Sequence, residues 1–541
     1  MADEAVFAHT APTAEERDGY YYGLPSRPKL VARSSTDVWS HQHDGWSIGK
    51  NFGPVGHHAI AKPWNDSTSS LRRAIVQALE GIDWSTIDIL RIGYERTHGF
   101  TGEEFAQPVT LLISVQKDST TWAQGLPVVM RCREILQLHG IPDVHCEMRE
   151  SHFIRGASSP GQAPASAPRL VGGQVDFPTE TRGLWSEYPG LSIAAYGHPE
   201  REGTKCLYLR LKDSGKIVAL TCRHVIFEAS TVEPEFKHTD SDVQARHTII
   251  QPGDLTLLHH KKSTSKLIDA IDIRINELES HPTMPENTKR RMMQQARDSL
   301  WPLVRTKRDL SELENSARRI FGHVIYAPKF SVSTTDRNGS RLRDWALIEL
   351  HAGKYTTPLD NLRNQVFVGD ARRAERQVIN ACVSEGLTGI SRILFDTQSH
   401  TVWLDGTLPE TEMRKPFEEV RSLGKDPAIL VAKHGAATGF TVGLATGIKS
   451  LIRHPLEDGP CFQSEEWCII GQRRNSQGRR EDFSSGGDSG SCVWDRNGRI
   501  GGMLAGGSGS GSNGAFDVSY ATPMEWLLDD IKAHGYDVEL V

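Results

Sequence analysis

The chain has 541 residues, 38% of them hydrophobic and 24% charged, with a formal net charge of −6. That length predicts a few domains rather than one small core, and so even a charge balance gives no electrostatic reason to expect nucleic acid or an anionic membrane as partner. No apolar run approaches the roughly eighteen residues of a membrane span, and the acidic N-terminus has neither the basic start nor the apolar core of a signal peptide, so the expected location is cytoplasmic or nuclear.

Residues 1–60 are rich in Pro, Gly, His and Asp without sustained periodicity and read as an irregular N-terminal arm. The pattern changes over 61–153, which reads as a small α+β domain. Leu71, Ala74, Ile75, Ala78 and Leu79 have helical spacing, with Gly81 as the stop. IDILRIGYER and VTLLISV follow as strands, PVVMRCREILQLHG as a helix ended at Gly140, and DVHCEMRES as a strand. Residues 154–175 are a Pro/Ala/Ser/Gly stretch with little to bury, and read as an exposed linker.

The remainder, 176–541, is mostly short strands. GLSIAAYG, KCLYLRL and KIVALTCRHVIF come first, the last two joined by a hairpin turn at Asp213 to Gly215. A charged helical insertion spans about 264–321. Strand signals return in HVIYAPKF, WALIEL, RILFDT, TVWLDG, AILVAKHG, TGFTVGLATGIKSLI, EWCIIGQ, SCVWD and RIGGMLAGG, and PMEWLLDDIKAHG closes the chain as a helix. Such a profile predicts β-barrels rather than a parallel α/β sheet.

Eight cysteines, at 132, 146, 206, 222, 382, 461, 468 and 492, show no CxxC pair and no zinc-ligand spacing. They read as buried free thiols, although Cys206 and Cys222 flank the hairpin and are placed to meet. No metal and no cofactor is expected.

The segment FSSGGDSGSCVW, Phe483 to Trp494, raises the question of a nucleophile at Ser489, against the bland alternative of a glycine-rich turn such as the nearby GGSGSGSNG. A serine hydroxyl attacks a carbonyl only with a base to take its proton, a group to orient the base, and donors for the oxyanion. Glycines around Asp488 let the backbone curl so that the Gly487 and Ser489 amides converge as an oxyanion hole. Among 22 histidines, His224 ends the apolar run Ile217 to Ile226, a setting that suits a general base. The clusters His57-His58, His259-His260 and His41-Gln42-His43-Asp44 lie in polar segments and read as solvated. Asp272 reads as facing out of an amphipathic helix, whereas Asp344 precedes the apolar strand Trp345 to Leu350 and can be half buried against a histidine.

The order His224, Asp344, Ser489, in the settings LTCRHV, RDWALIEL and GGDSGSCVW, resembles the trypsin-like serine proteases of chymotrypsin fold. KHGAATGFTVG, Lys433 to Gly443, is similar to a stretch in the second barrel of intracellular fungal and plant members; RIGGMLAGG resembles the strand lining the primary specificity pocket, and Tyr520-Ala-Thr-Pro leads into the C-terminal helix as in that family. The resemblance covers about 190–535 without the insertion and parts of 355–425. It implies a mainly β catalytic domain of two six-stranded antiparallel β-barrels, with the helical insertion and the small α+β domain as additions.

It also implies a specificity pocket of Phe483, Ala505, Gly506 and Gly507, with Phe483 at its base arguing against cleavage after Lys or Arg and the small residues leaving its walls open. Spacings between the three catalytic positions exceed those of compact secreted members, which predicts insertions flanking the cleft. Arg169-Leu-Val-Gly-Gly173 looks like a zymogen activation site whose new N-terminus would pair with Asp488, but a chance match at a glycine-rich linker end is the simpler reading. The expected function is therefore a serine endopeptidase acting on protein or peptide substrates through an acyl-enzyme. The alternatives are an esterase using the same triad and a catalytically silent scaffold that binds a partner through its N-terminal module and the insertion; the resemblance to fungal signalling proteases with a long N-terminal segment implies that this module is regulatory or a recognition module. Oligomeric state is not legible.

Overall fold

Strand-forming runs from distant parts of the chain meet in one large sheet. The computed structural model describes residues 9–39, 42–43, 46–47, 49–94, 107–155, 170–171, 174–175, 186–227, 234–239, 246–333, 339–385, 395–415, 426–456, 459–472, 482–511 and 514–541. Ile429–Gly435 pairs with Gly439–Leu456, which pairs with Gly459–Gly471. Val518–Pro523 bridges from there to Ile500–Gly509, and Cys492–Asp495 returns to Ile429–Gly435, so six antiparallel strands form a continuous ring. Val431, Trp467, Ile469, Val493 and Leu504 pack together as one buried cluster of this ring. Pairing all round removes the free edges on which open sheets aggregate.

A second sheet runs in the order Glu202–Thr204, Ser192–Ala195, Thr248–Ile250, Ile320–Ala327, Ala346–Leu350, Ile217–Thr221, Tyr208–Leu211, Val538–Leu540. The expected hairpin at 213–215 is there, with Tyr208 opposite Ala219. This sheet is only partly closed, its buried side chains continuous with those of the ring, and the protein as described is sheet-rich with several helices rather than mainly β throughout. The helical insertion is a hairpin of Asp254–Ser280 and Glu286–Glu312, beginning ten residues before the predicted 264. Leu257, His260, Thr264, Leu267 and Ile271 form the buried stripe, which the polar letters LHHKKSTSK hide. Asp272 faces outward as expected.

The elements expected over 61–153 are present, as helices Ser70–Ala78 and Trp122–Leu138 and strands Trp84–Tyr94, Val109–Val115 and His145–Glu150. Its strands are not a sheet of their own. Trp84–Tyr94 pairs with Gly439–Leu456, setting Ile87 opposite Leu451, so the three strands of the module, with Lys29–Arg33, Lys50–Gly53 and His152–Arg155, extend the six-strand ring into a sheet of twelve. Ion pairs back this junction: Glu465 in the ring is bonded by Arg72 of the module and by Lys449 at 2.7 Å, and Arg149 Nη1 meets Asp517 Oδ2 at 2.7 Å with both side chains inaccessible.

Three expectations need correction. The N-terminal arm is not irregular: Ala14–Gly19 is helical, Lys29–Arg33 pairs with His145–Glu150, and Tyr20 and Tyr21 both donate to Glu147. Such short elements carry no periodicity because their order comes from partners far along the chain. The linker begins later than 154, because Ile154 and Arg155 belong to strand His152–Arg155. His259 and His260 lie on a helix, and His260 is buried, its pKa pushed down to about 3 by burial and then by His259. Much of the linker, including Arg169, and also His41 and Asp44, fall outside the described residues. All eight cysteines are free thiols and all but Cys461 are buried. No helix among the described residues is long and apolar enough to cross a membrane.

Removing one partner of a buried ion pair strands the other charge, a loss of about 3–5 kcal/mol. Arg149→Ala is expected to lower the unfolding free energy by that amount in urea titration, and Arg149→Met with Asp517→Asn to recover most of it.

Candidate active site

The second strand of the 213–215 hairpin, Ile217–Thr221, is buried along its length and delivers Cys222 and then a single helical turn, Arg223–Ile226. Arg223 anchors the turn through the Ala327 and Pro234 carbonyls, at 3.3 and 3.1 Å. His224 is therefore fixed in backbone and side chain alike. Its amide donates to Asp344 Oδ1 at 2.9 Å, and its ring Nδ1 lies 2.5 Å from Asp344 Oδ2.

Asp344 is pinned from both sides. Arg343 Nε and Trp345 Nε1 each donate to Asp530 on the C-terminal helix Met524–Ala533, at 2.9 Å, so the carboxylate between them cannot swing. It is fully buried rather than half buried. Burial alone would raise its pKa, but attraction and hydrogen bonding to His224, with a further pull from Arg155, hold it below the usual aspartate value. Two bonds to one carboxylate orient the imidazole with Nδ1 inward and Nε2 outward, and that buried Nε2 has no hydrogen-bond partner among the described residues.

Ser489 is carried by the loop between Phe483 and the strand Cys492–Asp495. Gly487 takes φ +104°, a conformation side chains resist, which lets the chain reverse just before the serine. Thr204 of the second sheet ties the loop down: its amide donates to the Ser489 carbonyl at 2.8 Å and its hydroxyl to the Gly487 carbonyl at 3.0 Å. Gly490 and Leu504 complete the seam, Gly490 donating to the Leu504 carbonyl. Ser489 Oγ donates to the Ala505 carbonyl at 3.1 Å, and Cys222 Sγ lies 3.3 Å from the preceding carbonyl, Leu504. The nucleophile candidate and the residue two before His224 thus hang from consecutive peptide groups of one strand. The Gly487 and Ser489 amides donate to no other group among the described residues.

Between these serine and histidine loops the decisive charge is Asp488. Its carboxylate accepts from the amides of Ala437, Thr438 and Ser485, at 2.9, 3.1 and 3.1 Å, and from the Thr438 hydroxyl at 2.7 Å. Lys433 Nζ stands 3.2 Å away, and both side chains are inaccessible. Burial lowers the lysine's pKa and Asp488 opposes that shift. The counter-ion of Asp488 is therefore internal to the stretch Lys433 to Gly443. A lone lysine in an apolar strand is the sequence signal that identifies such a counter-ion.

Phe483 is buried in the core of the six-strand ring, with the centre of its ring 5.7 Å from Lys433 Nζ. The walls beside it are not open. A side chain at Gly507 would run into the ring of Phe516, and one at Gly506 into the Ile154 carbonyl. Phe516 and Ile154 were not singled out from the sequence.

Cys222, His224 and Asp344 are the one group among the described residues whose ligand atoms come within 4.8 Å of one another in the manner of a metal site. Their chemistry favours hydrogen bonding instead. Both Asp344 oxygens are committed to His224, and burial, then the Asp344 charge, pushes the Cys222 thiol well up, away from the thiolate a metal needs. The arrangement is a buried histidine oriented by a carboxylate, and a serine loop tied to the same strand, Ile500–Gly509, as Cys222. No family model and no curated protein matches the sequence.

Because Asp344 is more acidic folded than unfolded, the stability it contributes is present above the unfolded pKa and lost as pH falls through the folded one. Asp344→Asn is expected to be less stable than wild type at pH 7, with the two unfolding free energies converging as pH drops below about 4. Lys433→Met leaves Asp488 buried and unpaired, and is expected to cost about 3–5 kcal/mol in denaturant unfolding.

Proposed function

We propose that the protein is a serine endopeptidase of chymotrypsin fold, in which the six-strand ring is the second barrel and the partly closed sheet the first. The observation that carries this reading is the two-point bond from Asp344 to His224, which leaves the buried Nε2 without a hydrogen-bond partner among the described residues. An imidazole so oriented has one use for that nitrogen, namely to accept a proton from an adjacent hydroxyl.

Rotation about the Ser489 Cα–Cβ bond exchanges the Ala505 carbonyl for His224 Nε2. His224 then takes the hydroxyl proton as Oγ attacks the substrate carbonyl, and returns it to the leaving amine. Asp344 keeps the imidazole in the required tautomer and stabilises the imidazolium. The carbonyl oxygen, negative in the tetrahedral intermediate, is received by the Gly487 and Ser489 amides. Water repeats the sequence on the acyl-enzyme. Phe483 buried in the core and Phe516 laid against Gly507 leave little depth at the primary pocket, which favours a small residue at the scissile position.

The same chemistry would cleave esters, so the test reads the nucleophile first. A fluorophosphonate probe forms an Oγ–P bond with loss of fluoride. Wild type is expected to label, Ser489→Ala not at all, and His224→Ala at least about a hundredfold more slowly, as loss of a general base requires. Labelling that persists in Ser489→Ala, or fails in well-folded wild type, would overturn the assignment.

A further inference from the structure

The strand Ile500–Gly509 is paired on one side with Cys492–Asp495 only as far as Met503. Beyond that point this edge would be open, starting at Leu504 and Ala505, the residues whose carbonyls hold Cys222 and Ser489. Instead it is occupied by the chain itself. His152–Arg155 runs antiparallel along it, with Arg155 opposite Gly506, Ile154 opposite Gly507, Phe153 opposite Ser508 and His152 opposite Gly509. The Arg155–Gly506 pair lies one residue along the strand from Ala505, whose carbonyl accepts the serine hydroxyl.

Side chains alternate along a strand, so Phe153 and Arg155 share a face. Both reach built surroundings. The Arg155 guanidinium lies 4.5 Å from the centre of the Phe330 ring, with Nη2 3.4 Å from His454 Nδ1. It is close enough to Asp344 for the two charges to attract. Phe153 meets the same His454 edge to face at 5.4 Å and tilts against Tyr520 at 5.9 Å. At Gly506 the backbones approach so closely that no side chain could intervene. Yet the fit is incomplete, because the buried Arg155 Nε has no acceptor among the described residues. A strand added to an exposed edge takes its affinity from main-chain bonds and its specificity from alternate side chains, and here both elements are present within one chain.

We propose that His152–Arg155 is a resident occupant of the substrate-binding edge, and that it displays the substrate class this edge takes: an extended peptide with arginine between Phe330 and His454 and an aromatic residue two positions before it. The proposal rests on the peptidase reading for the word substrate, but not for the binding itself. The full-length chain is thereby self-occupied, and an incoming peptide competes with a segment whose effective concentration is set by direct covalent continuity.

The test uses the full chain, wild type and Phe153→Ala/Arg155→Ala, with fluorescein-labelled peptides His-Phe-Ile-Arg amide and His-Ala-Ile-Ala amide, read by fluorescence anisotropy. The double variant is expected to bind the first peptide at least tenfold more tightly than wild type does, and the second at least tenfold more weakly than the first. A folded double variant that binds no better than wild type, or binds both peptides alike, overturns the proposal. Should the double variant not melt cooperatively, Arg155→Gln and Phe153→Leu are read singly, each expected to gain at least threefold, and no gain in either overturns it. The readout is binding, so peptide capture by a chain whose Ser489 never labels would retain the edge as a peptide site while removing the peptidase reading.

Discussion

A buried carboxylate must be satisfied where it lies, and Asp488 meets that demand by gathering three amides, a hydroxyl and an ammonium from two separate segments. Leaving any of them unmade would cost more than the bond itself contributes. The loop before Ser489 therefore has one stable shape. Its curvature, the two amides it leaves unpaired among the described residues, and the placement of the serine against Thr204 all follow from that single point of convergence. The histidine side is fixed by a second carboxylate, and that one is held by a third, Asp530, through its sequence neighbours. Of the three acids only Asp344 bonds the histidine; Asp488 shapes the serine loop and Asp530 holds the neighbours of Asp344.

The richness in strands and the pairing of His224 with Asp344 were legible because the signals were local. His224, Asp344 and Ser489 each stand at a strand boundary, where an apolar run stops at a polar letter, and the hairpin between 211 and 216 announces itself through its turn residues. The module from 61 onward was legible for the same reason, with helix stops at Gly81 and Gly140. What escaped was everything whose cause is remote. The arm before residue 60 is ordered by Glu147 and by strand pairing across the chain, which leaves no trace in its own composition. Arg155 read as the start of a linker because nothing nearby requires it, while its partners Phe330, His454 and Gly506 come from three other regions. Lys433 was visible as part of a motif, but its purpose needs Asp488 in space. His260 looked solvated because its neighbours in sequence are polar, although the helix turns it inward.

Sharing one sheet changes what the module at the N-terminal side can be. Residues 84–94 are hydrogen-bonded to the ring that also contains the serine loop, and the interface includes ion pairs that exclude water. A separately folded regulatory domain would be joined by a flexible connection and a small polar contact. Here the connection is a β-ladder, so the module and the ring are expected to unfold together and to move together.

Only Ser151 separates His145–Glu150, inside the module's sheet, from His152–Arg155, on the edge beside the site. That residue is itself held, its amide by the Val115 carbonyl at 3.0 Å and its carbonyl by the Ser85 hydroxyl at 3.2 Å. There is no slack in such a joint. Lifting the outer strand transmits tension directly to the inner one, and through Glu147 to the tyrosine pair at residues 20 and 21. The far margin of the sheet is thus mechanically in series with whatever lies in the cleft.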